Sequence, residues 1–281
     1  EAMWGRNEAT SDNLGFKIKA ERLDERGSWQ FGLDGFSEQH NSDIDNPNNP
    51  MFFVQNFNDA TRDVLGAFLE REMRFSERWR GEFGLRFNHV KMDADEVDAT
   101  PARMMPPAGA LRDAFNSADR AQEDNNVDVV MRAWFQADER QAWYLGLGRK
   151  SRSPSYQERY LWLPLEATAG LADGNTYTGN IELDAEVAHQ AEFGLDYSDD
   201  RLTLSPRIYY SRVDDFIQGT PSKVMPAVMF VQMMNNNNGT NNPAPLQFNN
   251  VDAELYGFDV DWALQLTNAL SIGGLVNYVR G

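Results

Sequence analysis

Apolar and polar residues alternate along much of this chain with a period of two, the spacing that puts successive side chains on opposite faces of an extended strand. Across 201–211, Leu202, Leu204, Ile208 and Tyr210 share one phase with Pro206, while Arg201, Thr203, Ser205, Arg207 and Ser211 share the other. In 255–266, Tyr256, Phe258, Val260, Trp262, Leu264 and Leu266 oppose Gly257, Asp259, Asp261 and Gln265. In 79–88, Trp79, Phe83, Leu85 and Phe87 alternate with Arg80, Glu82, Arg86 and Asn88. Residues 187–197 and 143–149 fit with more small residues, Gly146 and Gly148 falling on the polar face. In 64–75 both phases carry apolar residues, so no faces are assigned there. No helical period persists for a useful length.

Such runs predict about ten strands, and their connections alternate between short and long. The short ones are 24–27, 76–78, 138–140, 198–200 and 267–268; the long ones lie near 38–58, 93–126, 150–186 and 218–250. This asymmetry suits an antiparallel transmembrane β-barrel with its short turns in the periplasm and its long loops outside. A soluble or surface β-sandwich that binds or adheres alternates as well, with the apolar phase turned inward. Strand length favours the barrel, because sandwich strands run about 5–6 residues and a tilted membrane strand needs about 9–11. Phe75, Trp79, Trp143, Tyr197, Trp262 and Tyr278, near strand ends, suit aromatic girdles at the membrane interfaces. The expected fold is all-β, a barrel wall in a bacterial cell outer membrane with lipid as its partner.

Composition agrees: aromatics reach 12% while the mean hydropathy is −0.59, a polar average that alternation produces. No run approaches the roughly 18 apolar residues of a spanning helix. A formal charge of −17 argues against nucleic acid, whose binding needs Lys and Arg on phosphates. Cysteine is absent, which removes disulfides and thiolate chemistry. No Gly-x-Ser-x-Gly elbow, phosphate loop or His-Glu-x-x-His pair occurs, so nothing points to an enzyme. The acidic runs at 43–45, 93–96 and 196–200 lack the ordered spacing of a calcium loop. The first residues, Glu1-Ala-Met-Trp-Gly-Arg6, show no targeting signal.

Three segments, in order, resemble the TonB-dependent outer-membrane receptors. They are Arg152-Ser-Pro-Ser-Tyr-Gln-Glu-Arg159; Gly179-Asn-Ile-Glu-Leu-Asp-Ala-Glu186 followed by Gln190-Ala-Glu-Phe-Gly-Leu195; and Asn249-Asn-Val-Asp-Ala-Glu-Leu-Tyr-Gly257. Residues 160–174 and Phe216-Ile-Gln-Gly-Thr-Pro221 look most like the copper-receptor branch of that family. The resemblance implies a barrel of about 22 strands. Its lumen would be closed by a plug, and uptake of a scarce solute would be driven by the TonB complex through that plug. The solute could be copper ion or, alternatively, a siderophore or other metal chelate. No plug, TonB box or usual aromatic terminus is visible, so 1–281 is expected to be part of the barrel domain, with the plug and the remaining strands absent.

Eleven methionines raise the candidate chemistry, since thioether sulfur suits Cu(I) and binds without losing a proton. Met104, Met105, Met225, Met229, Met233 and Met234 are the candidate capture residues in outer loops, with Met51 and Met92 beside them. The competing reading is adaptable packing. His89 falls on the lipid-facing phase, and the His-x-Met pair and the cysteine that the copper branch implies are missing. The principal metal site is thus expected outside this chain, with no cofactor within it. Asn235–Asn238 reads as a flexible loop tip.

Overall fold

The computed structural model describes residues 5–165 and 173–281. Ten long strands form an antiparallel meander in which each pairs with the next: β1 Arg6–Asp24, β2 Gly27–Asn46, β3 Asn49–Arg74, β4 Trp79–Asp93, β5 Gln122–Gln136, β6 Gln141–Arg152, β8 Glu186–Ser198, β9 Leu202–Pro221, β10 Leu246–Thr267 and β11 Leu270–Arg280. The short β7, Tyr177–Thr178, pairs in parallel with the start of β10. β1 and β11 are the sheet's two edges, so the barrel wall is not closed.

Register resolves the faces that alternation left open. Phe68 of β3 stands opposite Arg86 of β4 and Gly32 of β2, which puts Val64, Gly66, Phe68 and Glu70 on the polar, lumen-facing side and Leu65, Ala67 and Leu69 on the other. That other side carries Ile18, Phe31, Leu33, Phe83, Leu85, Phe87, Leu145, Leu147, Phe193 and Ile208, all exposed. An apolar face of this extent without a second sheet against it is built for lipid, which removes the sandwich alternative. His89 and Asn125, paired across β4 and β5, lie on this lipid phase as expected. Among the described residues no helix is long and apolar enough to cross a membrane.

Each short turn is closed by a side chain near its start. Asp24, Asp138 and Asp199 accept the backbone N–H of Arg26, Arg140 and Arg201 at 2.9, 2.8 and 2.8 Å. Ser76 and Thr267 do the same for Arg78 and Ala269 at 3.3 Å. These local bonds satisfy donors that the ladder leaves open at a hairpin end.

Two expectations need correction. The segment 38–58 is not a long loop: β2 and β3 continue through it and meet at a tight turn after Asn46. A membrane crossing needs only about 11 residues, so strands of 20, 26, 20 and 22 residues (β2, β3, β9 and β10) rise well beyond the bilayer. The outer segments also hold helices that no periodicity announced: α1 Thr100–Met104, α2 Pro106–Ser117, α3 Tyr156–Tyr160 and α4 Met225–Asn238. They are short and lean on a shared core, so no long amphipathic stripe was needed to fold them.

That core is the main apolar interior of the described residues, and it lies at the outer end rather than between strands. Ile44, Val54 and Phe57 of the strand extensions, Val90 and Met92 of β4, Leu111 and Phe115 of α2, Tyr160–Leu163 and Phe230 of α4 form one buried cluster. Val90 and Met92 belong to the lumen phase of β4, so the layer folds inward over the wall.

Candidate functional site

The segments singled out in sequence meet at one place in this layer. Arg152, the last residue of β6, reaches Glu158 at 2.8 Å and Glu186, the first residue of β8, at 2.7 Å. Glu186 also accepts the Ile217 backbone N–H of β9 at 2.8 Å. Ser155 and Glu158 form a capping box that starts α3. Burial pushes the Glu158 carboxyl up, but the Arg152 guanidinium and the Ser155 N–H outweigh it and hold it below the usual carboxylate range. Arg159, 1% exposed at its side chain, donates to both Asp124 oxygens at 3.0 Å, and the Tyr160 hydroxyl donates to the Arg120 carbonyl at 2.8 Å. Asn180 donates its N–H to the Glu158 carbonyl, and the Asn250 side chain bridges the carbonyls of Asp184 and Asp215. The knot thus joins β5, β6 and β8 through ion pairs, and β9 and β10 through hydrogen bonds, all of them fixed rather than open to a ligand.

Other residues that hold the layer escaped the sequence reading. Arg120 donates to the carbonyls of Phe115, Asn116 and Ala118, closing the C-terminal end of α2. Asp98 takes Arg103 at 2.6 Å and Arg112 at 3.2 Å, which pins α1 to α2. An arginine just past a helix end is a readable signal only once the helix is known.

The candidate methionines fall into two groups. Met225, Met229 and Met233 succeed one another at every fourth residue of α4, opposite the buried Ala227, Phe230 and Val231. Met225 is 62% and Met229 48% exposed and these two lie on the outward face of the helix, with Met233 half-buried at its edge. Met234 falls on the inner face and packs against the core, as does Met105. Met104 and Met51 are exposed at 76% and 82%, and Met92 is buried. Asn235–Asn238 is the last turn of α4, not a loose tip: the Asn235 side chain accepts from Thr240 and Asn242 before the left-handed Gly239. Among the described residues no cluster of three or more His, Asp or Glu can hold a metal ion.

Below the layer, the lumen face is densely charged. Arg86 bonds Asp34 across two strands and Arg132 reaches Glu82 at 3.4 Å. A depression of about 440 Å³ is lined by Lys17, Glu70, Arg86, Asp128, Arg132 and Lys150 among others. Gly146 and Gly148 floor a second one of about 270 Å³ beside Tyr144 and Tyr209, on the lumen phase expected for them. A charged interior facing an apolar exterior is the cross-section of a membrane-spanning barrel.

The family model for TonB dependent receptor-like β-barrels matches residues 3–281. The chain belongs to this family. TonB-dependent receptors reside in the bacterial outer membrane, and the exposed apolar phase described above is the surface this chain turns to it. Among solved structures, the chain is similar to the copper transporter OprC, with a TM-score of 0.69 and 19% identity over 97% of this chain and 37% of that one. It is similar to a double mutant of the Serratia marcescens hemophore receptor HasR at a TM-score of 0.66, with 14% identity over 99% and 42% of the two chains. The FrpB iron transporter from Neisseria meningitidis gives a TM-score of 0.60 and 13% identity over 98% and 36%. The chain therefore spans about two fifths of these receptors, and at such identities the likeness is one of fold. No curated protein sequence matches the chain significantly.

Proposed function

We propose that this chain is wall and outer cap of an active transporter that captures copper at its outer surface and passes it inward, with TonB supplying the energy through a plug outside these residues. The role is transport, with no catalytic step. The observation that supports copper is the row of Met225, Met229 and Met233 one helical turn apart on α4, the first two on its outward face and the third half-buried beside them. Side chains so spaced are neighbours, and a pair of thioethers is a soft site suited to Cu(I). The neighbouring fold of a copper transporter is consistent with this reading. Met104 is a further exposed donor, whereas Met105 and Met234 serve packing.

The test replaces Met225, Met229 and Met233 by Leu, which keeps size and helix propensity but removes sulfur. Cu(I) affinity of the full-length receptor should fall tenfold or more, and uptake at low copper should fall with it. Met234→Leu should change neither. Equal affinities for the triple variant and its parent would refute the capture role.

A further inference from the structure

With cysteine absent, methionine is the residue of this chain most open to a mild oxidant. The outer layer sorts its methionines by position. Met92 lies in the core at 3% exposure, and Met105 and Met234 pack against it. Met225 and Met229 stand outward on α4, and Met51 and Met104 are exposed at the neighbouring tip, where the Thr100 hydroxyl donates to the Met51 carbonyl at 2.8 Å. Met73 and Met131 sit in the membrane wall, on its lipid phase.

A different set of groups holds α4 in place. Ala227, Phe230 and Val231 are its buried face, and its end is fixed by the Asn235 side chain and the left-handed Gly239. A gain of polarity at Met225 or Met229 therefore meets water. The same gain at Met92, Met105 or Met234 would put a sulfoxide into the core and disrupt it.

We propose that Met225 and Met229 form an oxidation site for a hydroperoxide, and that their conversion to sulfoxides switches off copper capture while the outer layer stays folded. With hydrogen peroxide, a sulfur lone pair attacks one oxygen and the O–O bond breaks as the S–O bond forms. Sulfur gives up two electrons, and the second oxygen takes the proton of the first and leaves as water. The donor facing solvent is then a hard oxygen in place of the soft sulfur that suits Cu(I). Met233, half-buried beside the pair, remains as a lone thioether. The switch rests on the capture reading above and adds its regulation: sulfur that binds is open to the oxidant, and sulfur that packs is sheltered from it.

The full-length receptor in detergent is treated with graded hydrogen peroxide, each methionine is scored by peptide mass spectrometry, and Cu(I) stabilised in acetonitrile is titrated once the peroxide is removed. Met225 and Met229 should oxidise tenfold or more faster than Met92, Met105 and Met234. When both are sulfoxides, Cu(I) affinity should fall tenfold or more with amide exchange in α2 and at 150–165 unchanged. Methionine sulfoxide reductases A and B, which take one epimer each, should restore affinity to within twofold. The same loss is expected in a receptor carrying Met51→Leu and Met104→Leu, in which the other exposed thioethers of the layer are gone. Affinity within threefold of the untreated protein after double oxidation, equal oxidation rates for outward and inward methionines, or a loss that the reductases do not reverse would overturn the switch. If the untreated Met225→Leu, Met229→Leu, Met233→Leu variant binds Cu(I) as its parent does, the capture reading falls and the switch with it. If that variant has lost affinity and the oxidised parent has not, the switch falls alone.

Discussion

Asp59 and Asp215 take up left-handed backbone, with φ of 44° and 58°, where the ladders of β2–β3 and β9–β10 slip register. Side-chain bonds make that conformation tolerable: Asp59 accepts from Gln39 at 2.7 Å and Asn41 at 3.0 Å. Both sit where the strands leave the membrane for the outer layer. Asp215→Gly or Asn should be nearly neutral, whereas Asp215→Val should cost about 1–3 kcal/mol, because a β-branched residue cannot adopt this conformation without strain. Chemical unfolding of the refolded receptor measures it. At this scale the sequence was legible in chemistry and not in direction. Methionine declared a soft donor, but only helix phase separates the outward Met229 from the inward Met234.

Among the elements, α3 carries a local start signal that alternation does not bring out, and α4 has no capping side chain at its start. Ser155 followed three residues later by Glu158 is a capping signature that sequence carries directly. By contrast, α4 is Met- and Asn-rich with weak amphipathicity, whereas α2 buries the short stripe Ala108, Leu111 and Phe115 and is pinned, with α1, by Asp98 and Arg120. Ser155→Ala should destabilise the start of α3 by about 1 kcal/mol. Acid should act on the same element. Glu158 is held below its ordinary value in the folded state, so its contribution is present above the usual carboxylate range and is lost as pH falls through the lower folded value. Protection factors of the amides at 155–160, which are corrected for the intrinsic slowing of exchange in acid, are expected to fall on acidification in the parent, and much less so in a Glu158→Gln variant that already lacks the charge.

For the molecule as a whole, the membrane strands were plain in sequence because lipid and lumen impose opposite chemistries on alternate residues. The strand extensions were hidden for the converse reason. Outside the bilayer nothing demands alternation, and the stretch around Asn41, Ser42, Asp43, Asp45 and Asn46 is polar in both phases. The outer core could not be anticipated, since its members come from segments far apart in the chain. Trp162 shows the scale of the coupling: it is 4% exposed, donates its indole N–H to the Gln55 carbonyl at 2.8 Å, and lies in the cluster that also holds Phe115 and Phe230. Trp162→Ala should cost about 3–5 kcal/mol. Hydrogen exchange should then speed up in α2 and α4 together with 150–165, whereas a set of independent loops would confine the change to 150–165.

The shared core also limits how such a surface can diversify. Because the cap's buried residues are drawn from each outer connection of the described residues, a single connection transplanted from another receptor would bring side chains shaped for foreign neighbours. Grafting is expected to succeed only when the connections travel as a set, or when the exchange is confined to the solvent-facing skin, such as the outward residues of α4. Recognition can then drift at the skin while the scaffold beneath it is inherited as a block.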